Sequence, residues 1–145
     1  MKRYWTENLA QELSQVASVE EMRDFALKLL NMIDGDIGMV TGPIGSGGLG
    51  SREKNLERFQ KVIDERYEEG NAMFDQMPFQ EKIKYFYDQS GGDKMVILEG
   101  FYLPLFKTGK IKKFYFIPDW QSSIGATWEH DRAKELGIEI IYLDK

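Results

Sequence analysis

The sequence predicts an α/β domain, a four- or five-stranded parallel sheet with helices on both faces and two helices added in front. Three observations lead there. From Ile37 onward, short apolar runs bounded by Gly and Pro alternate with longer segments of helical period. Helix start and stop residues, such as Ser51, Gly70 and Gly137, fall between them. The first third of the chain carries helical periodicity only. Strands separated by helical crossovers must run parallel, and ligands of such sheets sit at the carboxyl ends of the strands.

Taken in order, Leu9, Leu13 and Val16 recur at helical spacing after Thr6. Ser18-Val-Glu-Glu21 is a capping-box pattern opening a second run, with Met22, Phe25, Ala26, Leu29 and Leu30 on one face. Residues 1–34 therefore read as a helical extension, its apolar faces covered by the main domain rather than by a second copy. Residues 35–145 read as the α/β domain. Residues 37–41 form a buried strand, residues 42–50 a glycine loop, and Ser51 caps a helix whose inner face is Leu56, Phe59, Ile63 and Tyr67. A second strand is expected over 72–75 and a helix over 79–87. The apolar run 94–106 fits a buried strand or a buried helix; its length and Gly109 favour helix, while Gly100 and Pro104 oppose it. A strand over 113–117, a helix over 126–136 and a last strand over 138–143 complete the chain. This order places the glycine loop, residues 75–78 and residues 118–125 on one rim.

Composition narrows the function. The chain has 145 residues, and 19 Lys and Arg against 24 Asp and Glu give a net charge of -5, without the basic face that duplex nucleic acid requires. It has no Cys and one His, His130, so a thiol nucleophile, a disulfide framework and a zinc or haem site of the usual ligands are excluded. No metal and no cofactor is expected. Charge interrupts the start before any signal-peptide core, and no run approaches about 20 apolar residues. A soluble cytoplasmic protein with no membrane partner is the expectation.

Two constellations carry chemistry. Gly45-Ser-Gly-Gly-Leu-Gly50 matches G-x-G-x-x-G between a strand and a helix. It reads as a turn-forming loop, as a mononucleotide or sugar-phosphate cradle, or as a dinucleotide site with Asp75 as its acidic partner. The chain length leaves little room for the last. The second runs from Trp120 to His130. There Ser122 and Ser123 offer hydroxyls, Gly125 frees the backbone, and Glu129 lies near the positive end of a helix dipole that favours its ionised form. Alternatively, Glu129 bonds free amides in the first helical turn. His130 should project from another face, as a surface or interface residue.

Ser123-Ile-Gly-Ala-Thr-Trp-Glu129 resembles the S-x-G-x-x-x-E signature of the nucleoside 2-deoxyribosyltransferase-like superfamily, and Val40-Thr-Gly-Pro-Ile44 resembles its first-strand loop. The resemblance spans roughly residues 37–143. It implies a flavodoxin-like three-layer fold and cleavage, by hydrolysis or transfer, of the N-glycosidic bond of a nucleoside or nucleoside 5′-monophosphate. Glu129 would be the nucleophile. Ser123 stands where members acting on free nucleosides have an aspartate, so the resemblance leans towards the deoxynucleoside 5′-monophosphate hydrolases. Ser123 and the loop around Ser46 and Gly47 would then bind phosphate, with Gly42, Pro43, Ile44, Ser122 and Gly125 around the substrate. Asp93 is the nearest match to the acid that engages the leaving base, with Asp88 and Asp119 as further choices. Trp120, and less so Trp128, Phe101 and Tyr102, offer stacking surfaces. A homo-oligomer is implied. Two other readings are a noncatalytic nucleotide-sensing module, favoured if Asp93 and Asp88 point away from the rim, and a small dinucleotide-binding protein.

Overall fold

The computed structural model describes residues 4–45 and 47–144. Its four strands are β1 (Ile37–Thr41), β2 (Ala72–Met73), β3 (Ile111–Phe116) and β4 (Glu139–Tyr142), paired in the order β2-β1-β3-β4, every pair parallel. The helices are α1 (Glu7–Ser14), α2 (Val19–Met32), α3 (Arg52–Glu68), α4 (Gln80–Gln89), α5 (Lys94–Ile97), α6 (Leu103–Lys107) and α7 (Ile124–Leu136). Among the described residues no helix is long and apolar enough to cross a membrane.

Local chemistry sets the helix ends. The hydroxyls of Thr6, Ser18 and Ser51 accept from the amides of Leu9, Glu21 and Lys54, satisfying donors that the first turn leaves free. The Glu21 carboxylate closes the box on the Ala17 amide at 3.2 Å, one residue earlier than the usual partner. Gly137, at φ 73°, ends α7 in the left-handed conformation that glycine adopts without penalty.

One element departs from the sequence reading and one ambiguous run is settled as the favoured helix, each for an identifiable reason. The strand expected over 72–75 has only two ladder residues, extended by one further bond from the Phe74 amide to the Gly38 carbonyl. Beyond it Asp75 Oδ1 accepts from the Met77 amide and starts a turn, and the Gln76 side chain takes over the Val40 carbonyl at 2.7 Å. The ambiguous run is helical, α5 and α6 being joined by a π-helical turn, Leu98–Tyr102. Pro104 cannot donate to the carbonyl four residues back and its ring crowds that carbonyl, which widens the preceding turn. Gly100 makes the turn fit: a Cβ there would lie 3.2 Å from Val19 Cγ1 at the start of α2.

Strand alternation divides the core. Ile37 and Met39 of β1, with Phe114 and Phe116 of β3, join a large cluster that includes Met22, Leu29 and Leu30 of α2. Val40 and Tyr115 join a smaller one with Phe59, Ile63 and Tyr67 of α3. The apolar faces of the first two helices are thus covered by the rest of the chain, within the same core. Phe79, fully buried, links these parts: its ring lies 5.3 to 6.0 Å from those of Trp5, Phe25, Phe74 and Phe101.

Phe79→Ala removes the ring on which all four rest, and should cost about 3–5 kcal/mol in urea denaturation. Tyr85→Ala, at a site 54% exposed one face away, should stay within about 0.5 kcal/mol of the parent. A Phe79→Ala loss as small as that of Tyr85→Ala would disprove the assigned packing.

Candidate functional site

A cavity of about 270 Å³ opens beyond the carboxyl ends of the strands. That is near the lower end for small-ligand sites, about 300 Å³. Gly42, Ile44 and Gly45 after β1 form one side, and Ser123, Gly125, Ala126 and Glu129 of α7 another. Gln76, Gln80, Ile83 and Tyr87 approach from the β2–α4 region, and Ile97, Leu98 and Tyr102 from the π-helical stretch.

Glu129 is the sharpest feature. It is only 7% exposed, and no hydrogen bond to its carboxyl is formed among the described residues. Burial pushes its pKa up to about 8, so the group is mostly neutral at pH 7. The ionised form expected from the helix dipole is therefore not the resting one. Glu129 is the sixth residue of α7, beyond the turn whose amides are free, so neither the dipole nor a first-turn amide offsets desolvation. Tyr102 lies near enough for a charge on Glu129 to raise the phenol further above its ordinary range, adding to burial as the main cause. The Tyr102 hydroxyl donates to Gln76 Oε1, and Gln76 in turn holds the end of β1 through the Val40 carbonyl.

Ser123 caps α7, its Oγ accepting from the Ala126 amide at 3.1 Å, and it lies on the cavity wall with Gly42, Ile44 and Gly125. The other expected residues are placed elsewhere. Ser122 Oγ accepts from the Gly48 amide at 2.8 Å and donates to the Asp119 carbonyl, which ties two strand-end loops together outside the cavity. Gly47 and Pro43 are not on the wall; Pro43 packs under Gly48, where a Cβ would come within 2.7 Å of the proline Cβ. Ser46 lies outside the described residues. Trp120 stacks on His130, centroids 4.2 Å apart, and does not line the cavity. His130, expected at a surface, is buried beneath that ring and bonded to the Tyr142 hydroxyl at 2.6 Å.

The acids sort clearly. Asp93 is exposed and caps α5 through the Met95 amide, away from the cavity wall. Asp88 is on the wall but paired with Lys84 at 2.8 Å. Asp119 is held by Arg58 at 2.7 Å. The wall also carries two cations that no carboxylate in the described residues holds: Arg52, whose guanidinium donates to the Gln80 carbonyl at 3.3 Å, and Lys94, 5.5 Å from the Tyr87 ring centre. With Glu129 neutral, this wall is positive although the chain is acidic overall.

Sequence reasoning passed over Asn55, which organises the glycine loop. Its Nδ2 donates to the carbonyls of Ile44 and Gly47, and its Oδ1 accepts from the Leu49 amide at 2.9 Å. A signal existed: Asn55 occupies the same four-residue row as Phe59, Ile63 and Tyr67, and a polar residue in a buried row needs partners. Arg52, Gln76, Gln80 and Tyr87 were also unmarked, because nothing local shows that they converge. Among the described residues no group of three His, Cys, Asp or Glu side chains could hold a metal ion.

The raised Glu129 pKa has a consequence for stability. Below its ordinary value, 4.5, both folded and unfolded chains are protonated and the full stability is present. Between 4.5 and about 8 only the unfolded chain ionises, so this site costs stability as pH rises. Glu129→Gln should therefore stabilise the protein by on the order of a few kcal/mol at pH 8 and hardly at all at pH 4.5, by urea denaturation at both. An equal effect at the two pH values would contradict the assigned burial. In comparisons with known proteins, this chain matches no family model, no curated protein and no solved structure.

Proposed function

We propose that the cavity binds a nucleoside 5′-monophosphate and that Glu129 cleaves its N-glycosidic bond. The observation that carries the reading is a buried carboxyl without a protein partner, facing a cavity beside Arg52, Lys94 and the Ser123 hydroxyl. In its ionised form Glu129 attacks the anomeric carbon as the bond to the base breaks, and the bonding pair leaves with the base. Water, or a second base, then displaces the glutamate from the sugar. The cations and Ser123 suit a phosphate, which an aspartate at position 123 would repel. The motif resemblance supports the same reading, and the strand order is that of a flavodoxin-like sheet without its fifth strand. We read the protein as a homo-oligomer, with exposed Leu49 in the glycine loop and Ile124 at the start of α7 available to a second copy. A monomer in light scattering at micromolar concentration would overturn that part.

One observation favours binding without cleavage: neither Asp93 nor Asp88 is free to engage a leaving base. The dinucleotide reading loses support, because the glycine loop spends its close approaches on Ser122, Asn55 and Pro43 of its own chain.

Wild type and Glu129→Ala, incubated with nucleosides and their 5′-monophosphates, separate these readings when free base is followed by chromatography. Release by wild type, best from a monophosphate and at least about a thousandfold slower in the variant, is the expected result. Binding with no release from any member would leave the sensing module. Since the nucleophile must be ionised, kcat/KM should rise with pH and level off above about 8. A fall across that range would instead make the protonated carboxyl a general acid.

A further inference from the structure

Gln80 presents a hydrogen-bond acceptor that the protein does not use. The residue is 6% exposed and lies on the cavity wall. The orientation of its amide follows from its neighbours. Gln76 Nε2 donates to the Val40 carbonyl and Gln76 Oε1 accepts from the Tyr102 hydroxyl, so that side chain is committed at both ends. The main-chain carbonyl of Gln76, which can only accept, meets Gln80 Nε2 at 3.2 Å. The Tyr102 hydrogen is spent on Gln76. The bond to the Gln76 carbonyl therefore fixes Nε2 as the donor end of the Gln80 amide. Gln80 Oε1 meets no donor among the described residues and is not sealed from solvent, and Gln80 lines the cavity.

We infer that Gln80 Oε1 reads the base edge, selecting a nucleobase that presents an exocyclic amine there, adenine or cytosine, over the oxo counterpart, hypoxanthine or uracil. This deepens the nucleotide reading of the same cavity and rests on it. A desolvated acceptor gains a full hydrogen bond from an amine, whereas an oxo group brings a second acceptor against it and leaves both unsatisfied. Ile83, Leu98 and the Tyr102 ring supply an apolar wall for the flat base beside that contact.

The two members of each base pair differ chiefly at the amine or oxo group and its ring nitrogen, which makes them clean probes. Equilibrium binding of dAMP against dIMP, and of dCMP against dUMP, is measured by calorimetry with the full chain carrying Glu129→Gln, so that no turnover intervenes. At least one amino member should bind about tenfold or more tightly than its oxo partner. Adding Gln80→Leu should compress that ratio to within about threefold while binding persists. Nucleotide binding with no amino preference, or a preference unchanged by Gln80→Leu, overturns the role of Gln80 and leaves the nucleotide reading standing. No binding of any of the four overturns both. If circular dichroism shows Gln80→Leu unfolded, the parent ratios together with Gln80→Glu, which keeps an acceptor and should keep the preference, decide the matter.

Discussion

A parallel sheet of four short strands cannot leave either face to water, because crossovers lay helices on both and the strands need apolar cover on each side. That constraint organises this chain. Between β1 and β2 the covering helix is α3, and its row of Phe59, Ile63 and Tyr67 suffices for one face. The other face is larger and is completed only when α2 joins the helical stretch from Lys94 to Lys107. The N-terminal helices are therefore part of the core. The same parallel arrangement sends the ends of β1, β2 and β3 to one rim, so loops distant in sequence meet there.

On that rim, two effects compete over Glu129 and burial wins. A carboxyl at a helix start would find free amides and a favourable dipole, but the helix begins at Ile124 and its free donors are behind the residue. One of them, the Ala126 amide, is already taken by the Ser123 cap. What remains is a neutral acid kept out of water, which becomes a strong base and nucleophile once ionised. The π-helical turn that Pro104 imposes brings Tyr102 to the facing wall, and from there the bonds through Gln76 reach the end of β1. A backbone irregularity thus helps shape the chemistry of the cavity.

The glycine loop shows how a motif match can mislead. Its glycines do adopt left-handed conformations, with φ near 71° at Gly47 and 65° at Gly48. The space they free is filled from inside, by Ser122 against the first and by Asn55 and Pro43 against the second. The loop is a knot that fixes the cavity edge through Gly42 and Ile44, and the Arg58–Asp119 pair ties the following helix, α3, to the loop after β3.

Much of this architecture was legible without coordinates. The span of β1, the caps at Thr6, Ser18 and Ser51, and the stop at Gly137 follow from local rules, since the physics of a strand face or a helix end is complete within a few residues. So does the proximity of Ser123 and Glu129, six residues apart on one helix entry. The truncation of β2 was not legible, because the Val40 carbonyl is claimed by a side chain that follows it by 36 residues. Asp93 and Asp88 looked alike in the sequence; only the packing of α4 and α5 put one on the wall and the other outside it. Charge state is the clearest division. Sequence by itself placed Glu129 on a helix at a strand end, where the dipole argues for an anion, but whether water reaches that carboxyl depends on Gln76, Gln80, Leu98 and Tyr102, and desolvation exists only once those side chains have come together.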